Sequence, residues 1–262
     1  MRLTFLGTGS AMPTGERHQT GHLVEAGGDR LLVDCGSGVL HRLADTETGY
    51  EGVDAVLLTH HHIDHVSDLM PLLKARWLAG STSLTLAGPP GTADLIEGLL
   101  SVHAYMQDRL DLDIREVEPG SFTLAGFGIE ALETRHSMTC HAYRITRGQG
   151  VESGESDTDN DERDPGTLTI SGDTEAFAEL AAFADGSDVL VHDCSFPDGV
   201  DVSNHPTPTS LGEALSVHAF GTVYLTHLYP HTRGKHREML DSLSERYDGE
   251  VRFARDGLTV EC

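Results

Sequence analysis

Short apolar runs alternate with glycine-rich turns through the first part of the chain, at Leu3 to Leu6, Gly21 to Ala26, Arg30 to Val33 and Asp54 to Leu58. Runs this short, bounded by turn residues, predict strands. Helical spacing of apolar positions replaces them at Gly38 to Ala44, His65 to Leu78 and Thr92 to Tyr105, the last announced by Pro89-Pro90. Beyond residue 166 the two patterns take turns. Strands are predicted at Leu168 to Ile170, Val189 to Val191 and Thr222 to Leu225, and helices near Glu175 to Phe183, Ser210 to Phe220 and Lys235 to Tyr247. The last helix mixes acids and bases as a solvated face does. The expected class is therefore a mixed α/β chain, without an internal repeat of fixed period.

One stretch breaks the alternation. Between Gly148 and Gly166 the sequence carries a single aliphatic residue, Val151, among a dense run of acids. It cannot bury enough apolar surface to order itself, so a mobile acidic loop is expected there. The remaining chain fits one domain over residues 1–262, long enough to bury a core without staples. No apolar run approaches the ~18 to 20 residues of a membrane span. Met1 to Gly9 reads as a strand and turn, without the ordered regions of a signal peptide, so a cytoplasmic protein is expected.

Charge narrows the picture further. Acids outnumber bases 42 to 18, for a formal charge of −24, and the only lysines are Lys74 and Lys235. Such a surface repels itself and any polyanion unless salt shortens the screening length, to ~3 Å at 1 M. A salt-loving host is the expectation that follows. Cys35, Cys140, Cys194 and Cys262 show no paired spacing and are read as free thiols, buried as small hydrophobes.

The chemistry lies directly after Ala55-Val56-Leu57-Leu58, in Thr59-His60-His61-His62-Ile63-Asp64-His65, an H-x-H-x-D-H pattern. In extended chain His60 and His62 project to one side, because side chains repeat every two residues, while Asp64 and His65 begin the next turn and can face a second point. One segment can thus feed two adjacent metals. Imidazole nitrogen and carboxylate oxygen are ligands that zinc accepts, with manganese and iron fitting the same set. His61 has the opposite parity and is left out.

This motif resembles that of metallo-β-lactamase superfamily hydrolases, and the resemblance spans nearly the whole chain. It implies an αββα four-layer sandwich with metals at one sheet edge. Thr134-Arg135-His136-Ser137 is similar to the segment carrying the third ligand of the first metal, Ser171-Gly172-Asp173-Thr174 to the segment whose aspartate bridges, and Leu225-Thr226-His227-Leu228 to the last histidine. Carried over, the resemblance implies that His60, His62 and His136 hold one divalent ion and Asp64, His65 and His227 another, with Asp173 between them. Two zinc ions and a hydroxide nucleophile bridging them are then expected, and hydrolysis follows.

Within the superfamily the chain is most similar to ribonuclease Z-like phosphodiesterases, on Phe5-Leu6-Gly7-Thr8-Gly9-Ser10, Val33-Asp34-Cys35-Gly36-Ser37-Gly38 and Gly88-Pro89-Pro90-Gly91. His192-Asp193-Cys194-Ser195-Phe196 resembles that group's proton-transfer stretch with Asp193 in place of glutamate, and Asn204-His205-Pro206-Thr207 resembles its downstream histidine motif. The resemblance implies catalytic roles for Asp64, for His205 as general acid and for Asp193 as its orienting carboxylate. It implies a homodimer as well.

The sequence departs from the transfer RNA processing members by lacking their long basic arm before Ser171, where it has only the acidic loop. An acidic loop repels a phosphate backbone, and affinity for nucleic acid rests largely on Lys and Arg. The first expectation is a dinuclear phosphodiesterase acting on a small or cyclic phosphodiester. The alternatives are an endonuclease at transfer RNA 3′ ends, a lactone or thioester hydrolase, and a non-catalytic metal-binding scaffold, against which the intact ligand set argues. Neither a membrane nor DNA is an expected partner.

Overall fold

The structure is a computed structural model and describes residues 1–147 and 166–262. The expected acidic loop lies largely outside the described residues. The chain begins with strands β1 (Arg2–Gly7), β2 (Gly21–Ala26) and β3 (Asp29–Val33), helix α1 (Val39–Ala44), strand β4 (Ala55–Leu57) and helices α2 (Ile63–Val66) and α3 (Leu69–Ala79). It continues through β5 (Ser83–Gly88), α4 (Thr92–Val102), β6 (Asp111–Glu116), β7 (Gly120–Leu124), β8 (Phe127–Glu133) and β9 (His141–Arg147). Then come β10 (Thr167–Ile170), α5 (Ala178–Ala184), β11 (Val189–Asp193), α6 (Pro208–Leu215), β12 (Thr222–Thr226), α7 (His236–Ser244), β13 (Val251–Phe253) and β14 (Thr259–Glu261).

Two seven-stranded sheets form among these residues, ordered β14-β1-β2-β3-β4-β5-β6 and β13-β12-β11-β10-β9-β8-β7. Each combines an antiparallel part with a parallel run, β3 to β6 in the first sheet and β10 to β13 in the second. The sheets share one apolar layer in which Leu31, Val33 and Leu57 meet Tyr143, Ile145, Leu168 and Val191. Their opposite faces are covered by helices: Leu32, Val56 and Leu86 pack with Val39, Leu72 and Ile96 on one side, and Leu190, Val223 and Leu225 with Ala181, Leu211 and Met239 on the other. Burial on both faces explains why these strands read as unbroken apolar runs. This is the αββα sandwich the resemblance implied. No helix among the described residues is long and apolar enough to cross a membrane.

The helix predicted from His65 to Leu78 is in fact two, separated at Ser67-Asp68. The interruption serves α1, because Asp68 Oδ2 accepts the backbone N–H groups of Gly38 and Leu40 at 2.9 and 3.0 Å. A carboxylate there meets N–H groups that the first turn leaves unpaired. The helix predicted from Ser210 to Phe220 instead runs from Pro208 to Leu215, started by Thr207, whose side chain and that of Ser210 form a reciprocal cap.

Candidate metal centre

The carboxyl ends of the parallel strands converge on one point. Asp34 follows β3, Thr59 to His65 follow β4, Ser171 to Asp173 follow β10, Asp193 ends β11 and His227 follows β12. His136 arrives on the connection from β8 to β9, and His205 precedes α6. Two glycines permit this convergence. A Cβ on Gly36 would lie 2.0 Å from the Asp64 carbonyl, and one on Gly172 would lie 2.9 Å from the His141 carbonyl at a φ of +61°. Glycine is therefore a steric requirement at Gly36, against the Asp64 backbone, and at Gly172, beside Asp173.

All seven residues expected as ligands come together in two groups of ligand atoms, His60, His62, His136 and Asp173 in one and Asp64, His65 and His227 in the other. His60 Nε2 and His136 Nε2 lie 3.0 and 3.1 Å from His62 Nδ1. His227 Nε2 lies 3.2 Å from both Asp64 Oδ2 and Asp173 Oδ2, and His65 Nε2 lies 3.4 Å from Asp173 Oδ1. His205 joins Asp173 and His227 in a third group. His61 turns away, its Nε2 2.8 Å from Thr92 Oγ1. Cys194 is buried and belongs to none of these groups.

Hydrogen bonds behind the site set the imidazole orientations. Thr59 Oγ1 donates to Asp34 Oδ2 at 2.8 Å and is left to accept from His60 Nδ1–H at 3.0 Å. His65 Nδ1–H donates to Asp34 Oδ2 at 2.7 Å, and His136 Nδ1–H donates to the Asn204 carbonyl at 3.3 Å. Ser195 Oγ donates to Asp193 Oδ1 at 2.6 Å and accepts from His227 Nδ1–H at 2.9 Å. With each Nδ1 donating, each of these four rings turns its Nε2 inward, the atom that offers a lone pair in the ligating form. Asp34, Thr59, Ser195 and the Asn204 carbonyl are hydrogen-bond partners of the candidate ligands or of Asp193 to which sequence reasoning assigned no role; the D-C-G-S-G motif is the one signal pointing to Asp34.

Inward lone pairs that face carboxylates repel them, so the arrangement fits divalent cations. A buried His65 Nε2 without a hydrogen-bond partner among the described residues points the same way. Burial, followed by the neighbouring imidazoles, holds His60 well below its usual pKa, and burial likewise lowers His62 and His136. Neutral imidazole is the ligating form. Burial works against charge on His65 as well, but Asp173 and Asp34 outweigh it and raise its pKa well above the usual value. Asp173 responds in the opposite sense: burial raises it, yet His227 and His65 hold it well below the carboxylate range. In the cation-free protein a proton on His65 thus meets part of the need for positive charge.

Beside the centre, His205 Nδ1 lies 2.6 Å from Asp193 Oδ2. Burial lowers the pKa of His205, but the Asp193 charge and hydrogen bond prevail and raise it to about 9. The ring of Tyr229 stacks on Phe196, centroids 4.5 Å apart, and meets His205 and His227 edge-on. Burial, then the charges of Asp64, Asp173 and Asp193, push its phenol up to about 12. The arrangement offers two candidate cation positions, a histidine-carboxylate pair and an aromatic wall.

The family model described as anti-Pycsar protein Apyc1 matches residues 1–256. Ribonuclease Z of Mycolicibacterium paratuberculosis is 31% identical, the match covering 98% of this chain and 96% of that protein. Ribonuclease Z of Haloferax volcanii is 28% identical, with 100% and 95% covered. Among solved structures, the metallo-β-lactamase-fold protein YhfI from Bacillus subtilis superposes with a TM-score of 0.81 at 26% identity, covering 100% of this chain and 99% of that one. The short form of human tRNase Z shares the fold, with a TM-score of 0.77 at 19% identity and coverage of 100% and 99%. The chain belongs to the anti-Pycsar Apyc1 family, among the ribonuclease Z-like, metal-dependent hydrolases of the metallo-β-lactamase fold.

Proposed function

We propose that this chain is a dinuclear phosphodiesterase acting on a small or cyclic phosphodiester. The observation that carries the reading is the inward set of Nε2 lone pairs on His60, His65, His136 and His227, aimed with His62 at Asp64 and Asp173. His60, His62 and His136 would hold one cation and Asp64, His65 and His227 the other, with Asp173 shared. Zinc is the first choice for these donors, with manganese and iron next. Such cations act as Lewis acids on a phosphoryl oxygen and lower the pKa of water.

The chain's own residues supply the remaining chemistry. His205 donates a proton to the leaving oxygen, and Asp193 fixes its ring and keeps it charged at neutral pH. Ser195, bonded to both Asp193 and His227, keeps the proton-transfer pair in register with the ligand set.

A small substrate is favoured by how the nearby cations are used. Arg17 donates to Thr8 Oγ1 and the Ala254 carbonyl, Arg135 to Glu179 and Arg233 to Glu16. On a chain of charge −24 this leaves little to neutralise an RNA backbone. Cleavage at RNA 3′ ends is the second reading, supported by full-length relatives named ribonuclease Z. Metal-loaded protein assayed in high salt against a cyclic mononucleotide and a precursor transfer RNA separates them: faster turnover of the cyclic nucleotide is expected, and efficient cleavage of the RNA alone would favour the second reading.

We further propose that residues 1–262 act as one domain, since a common apolar layer joins the two sheets. The charge balance supports a salty cytoplasm. Exposed Leu78, Val102 and Tyr105, beside Trp77 and Lys74, offer a face for the homodimer, which sedimentation of the wild type and Leu78→Glu would test.

A further inference from the structure

We propose that the Tyr229 hydroxyl donates a hydrogen bond to a phosphoryl oxygen of the bound phosphodiester, which makes it a specificity and rate determinant beside the proton-transfer pair. The proposal rests on the phosphodiesterase reading.

The ring is held from several sides. His227 adopts a φ of +57°, a turn directly after β12. Leu228 N–H then bonds the Thr8 carbonyl at 3.0 Å, Tyr229 N–H reaches the Ser195 carbonyl at 3.3 Å, and the Tyr229 carbonyl accepts from Thr232 N–H at 3.0 Å. Phe196 stacks on one face, while the rings of His205 and His227 stand edge-on at 5.9 and 5.7 Å between centroids. The backbone and the ring plane are therefore fixed before any ligand arrives.

Its hydroxyl is the part without a role in the fold. Among the described residues it has no hydrogen-bond partner, whereas the buried Tyr143 donates to the Leu58 carbonyl at 2.8 Å. The residue is only partly buried, so the hydroxyl stays open to a ligand. The Tyr229 ring borders both His205 and the candidate ligand His227, which puts it beside the candidate metal centre. Asp193 is already taken by Ser195 and His205. An anionic phosphodiester at the centre would offer it an acceptor. His205 already serves the leaving oxygen, which leaves a non-bridging phosphoryl oxygen for Tyr229.

Tyr229→Phe removes the hydroxyl and keeps the ring, so the stack on Phe196 and the metal content should match the wild type. One hydrogen bond to a charged acceptor corresponds to about 10- to 100-fold. Two readouts on metal-loaded protein in high salt are expected to fall by that factor: kcat/KM for bis(p-nitrophenyl) phosphate, and the affinity for inorganic phosphate measured by calorimetry. A purely structural role would leave phosphate affinity unchanged. Wild-type values for both quantities in Tyr229→Phe would overturn the proposal while leaving the phosphodiesterase reading intact. A wild-type protein that holds two metals yet fails to turn over the diester would instead overturn that reading, and this proposal with it.

Discussion

Asp34 is the position where a single-atom change should reach the metal centre from behind. Its carboxylate is buried and accepts three hydrogen bonds: Thr59 N–H on Oδ1 at 2.8 Å, and Thr59 Oγ1–H and His65 Nδ1–H on Oδ2 at 2.8 and 2.7 Å. Asn in its place offers one oxygen and one NH2. With the oxygen toward His65, the NH2 confronts Thr59 N–H and leaves two buried donors unpaired, at a cost of about 1–3 kcal/mol. With the NH2 toward His65, the imidazole must switch tautomer and place a proton on Nε2, which can no longer ligate. Loss of such a supporting hydrogen bond typically weakens metal binding by about 10- to 100-fold, or about 1.4 to 2.8 kcal/mol. We therefore expect Asp34→Asn to bind one zinc equivalent 10- to 100-fold more weakly, as measured by competition with a chromophoric chelator. The apo protein should be destabilised within the range above in urea, which separates lost affinity from lost fold. Glu179→Gln, at an exposed surface pair with Arg135, serves as the control. Binding of both zinc equivalents by Asp34→Asn with wild-type affinity would refute the idea that Asp34 sets the His65 tautomer.

Other consequences can be measured independently. In the metal-free protein His205 should titrate near pH 9 by NMR, and Asp193→Asn should bring it down toward the usual histidine value. Because the folded pKa is raised, the stability it contributes is complete below about pH 6.5 and is lost as pH rises toward about 9; an unchanged His205 titration in Asp193→Asn would contradict the pairing. Removing metal with a chelator should lower the melting temperature, since binding at a hundred times Kd contributes about 2.7 kcal/mol, and re-added zinc should restore it. Leu57, fully buried where the two sheets meet, should cost about 2–5 kcal/mol on replacement by Ala in urea unfolding; a loss under 1 kcal/mol would mean the layer repacks freely.

Much of this centre was legible because its ligands follow strands whose apolar runs are visible in the sequence. His60, His62, Asp64 and His65 sit within one short segment, and the single residues His136, Asp173 and His227 acquire meaning from their order behind it. What escaped was tertiary. The break between α2 and α3 depends on Asp68 reaching the start of α1, some thirty residues earlier in the chain, and no local periodicity reports such a bond. Strand β6, with the sequence DLDIRE, and β7 have few buried residues and so carry weak apolar patterns. Asp34 and Ser195 act through imidazoles that are distant in sequence, and Tyr229 stands out only once Phe196, His205 and His227 surround it.

The central claim is that a metal-loaded centre built on these residues hydrolyses phosphodiesters. Its most direct test is turnover of bis(p-nitrophenyl) phosphate in high salt by protein shown to contain two metal equivalents, beside a chelated sample and His62→Ala. We expect turnover that chelation abolishes and His62→Ala loses. A protein that holds both metals and leaves the diester intact would contradict the account.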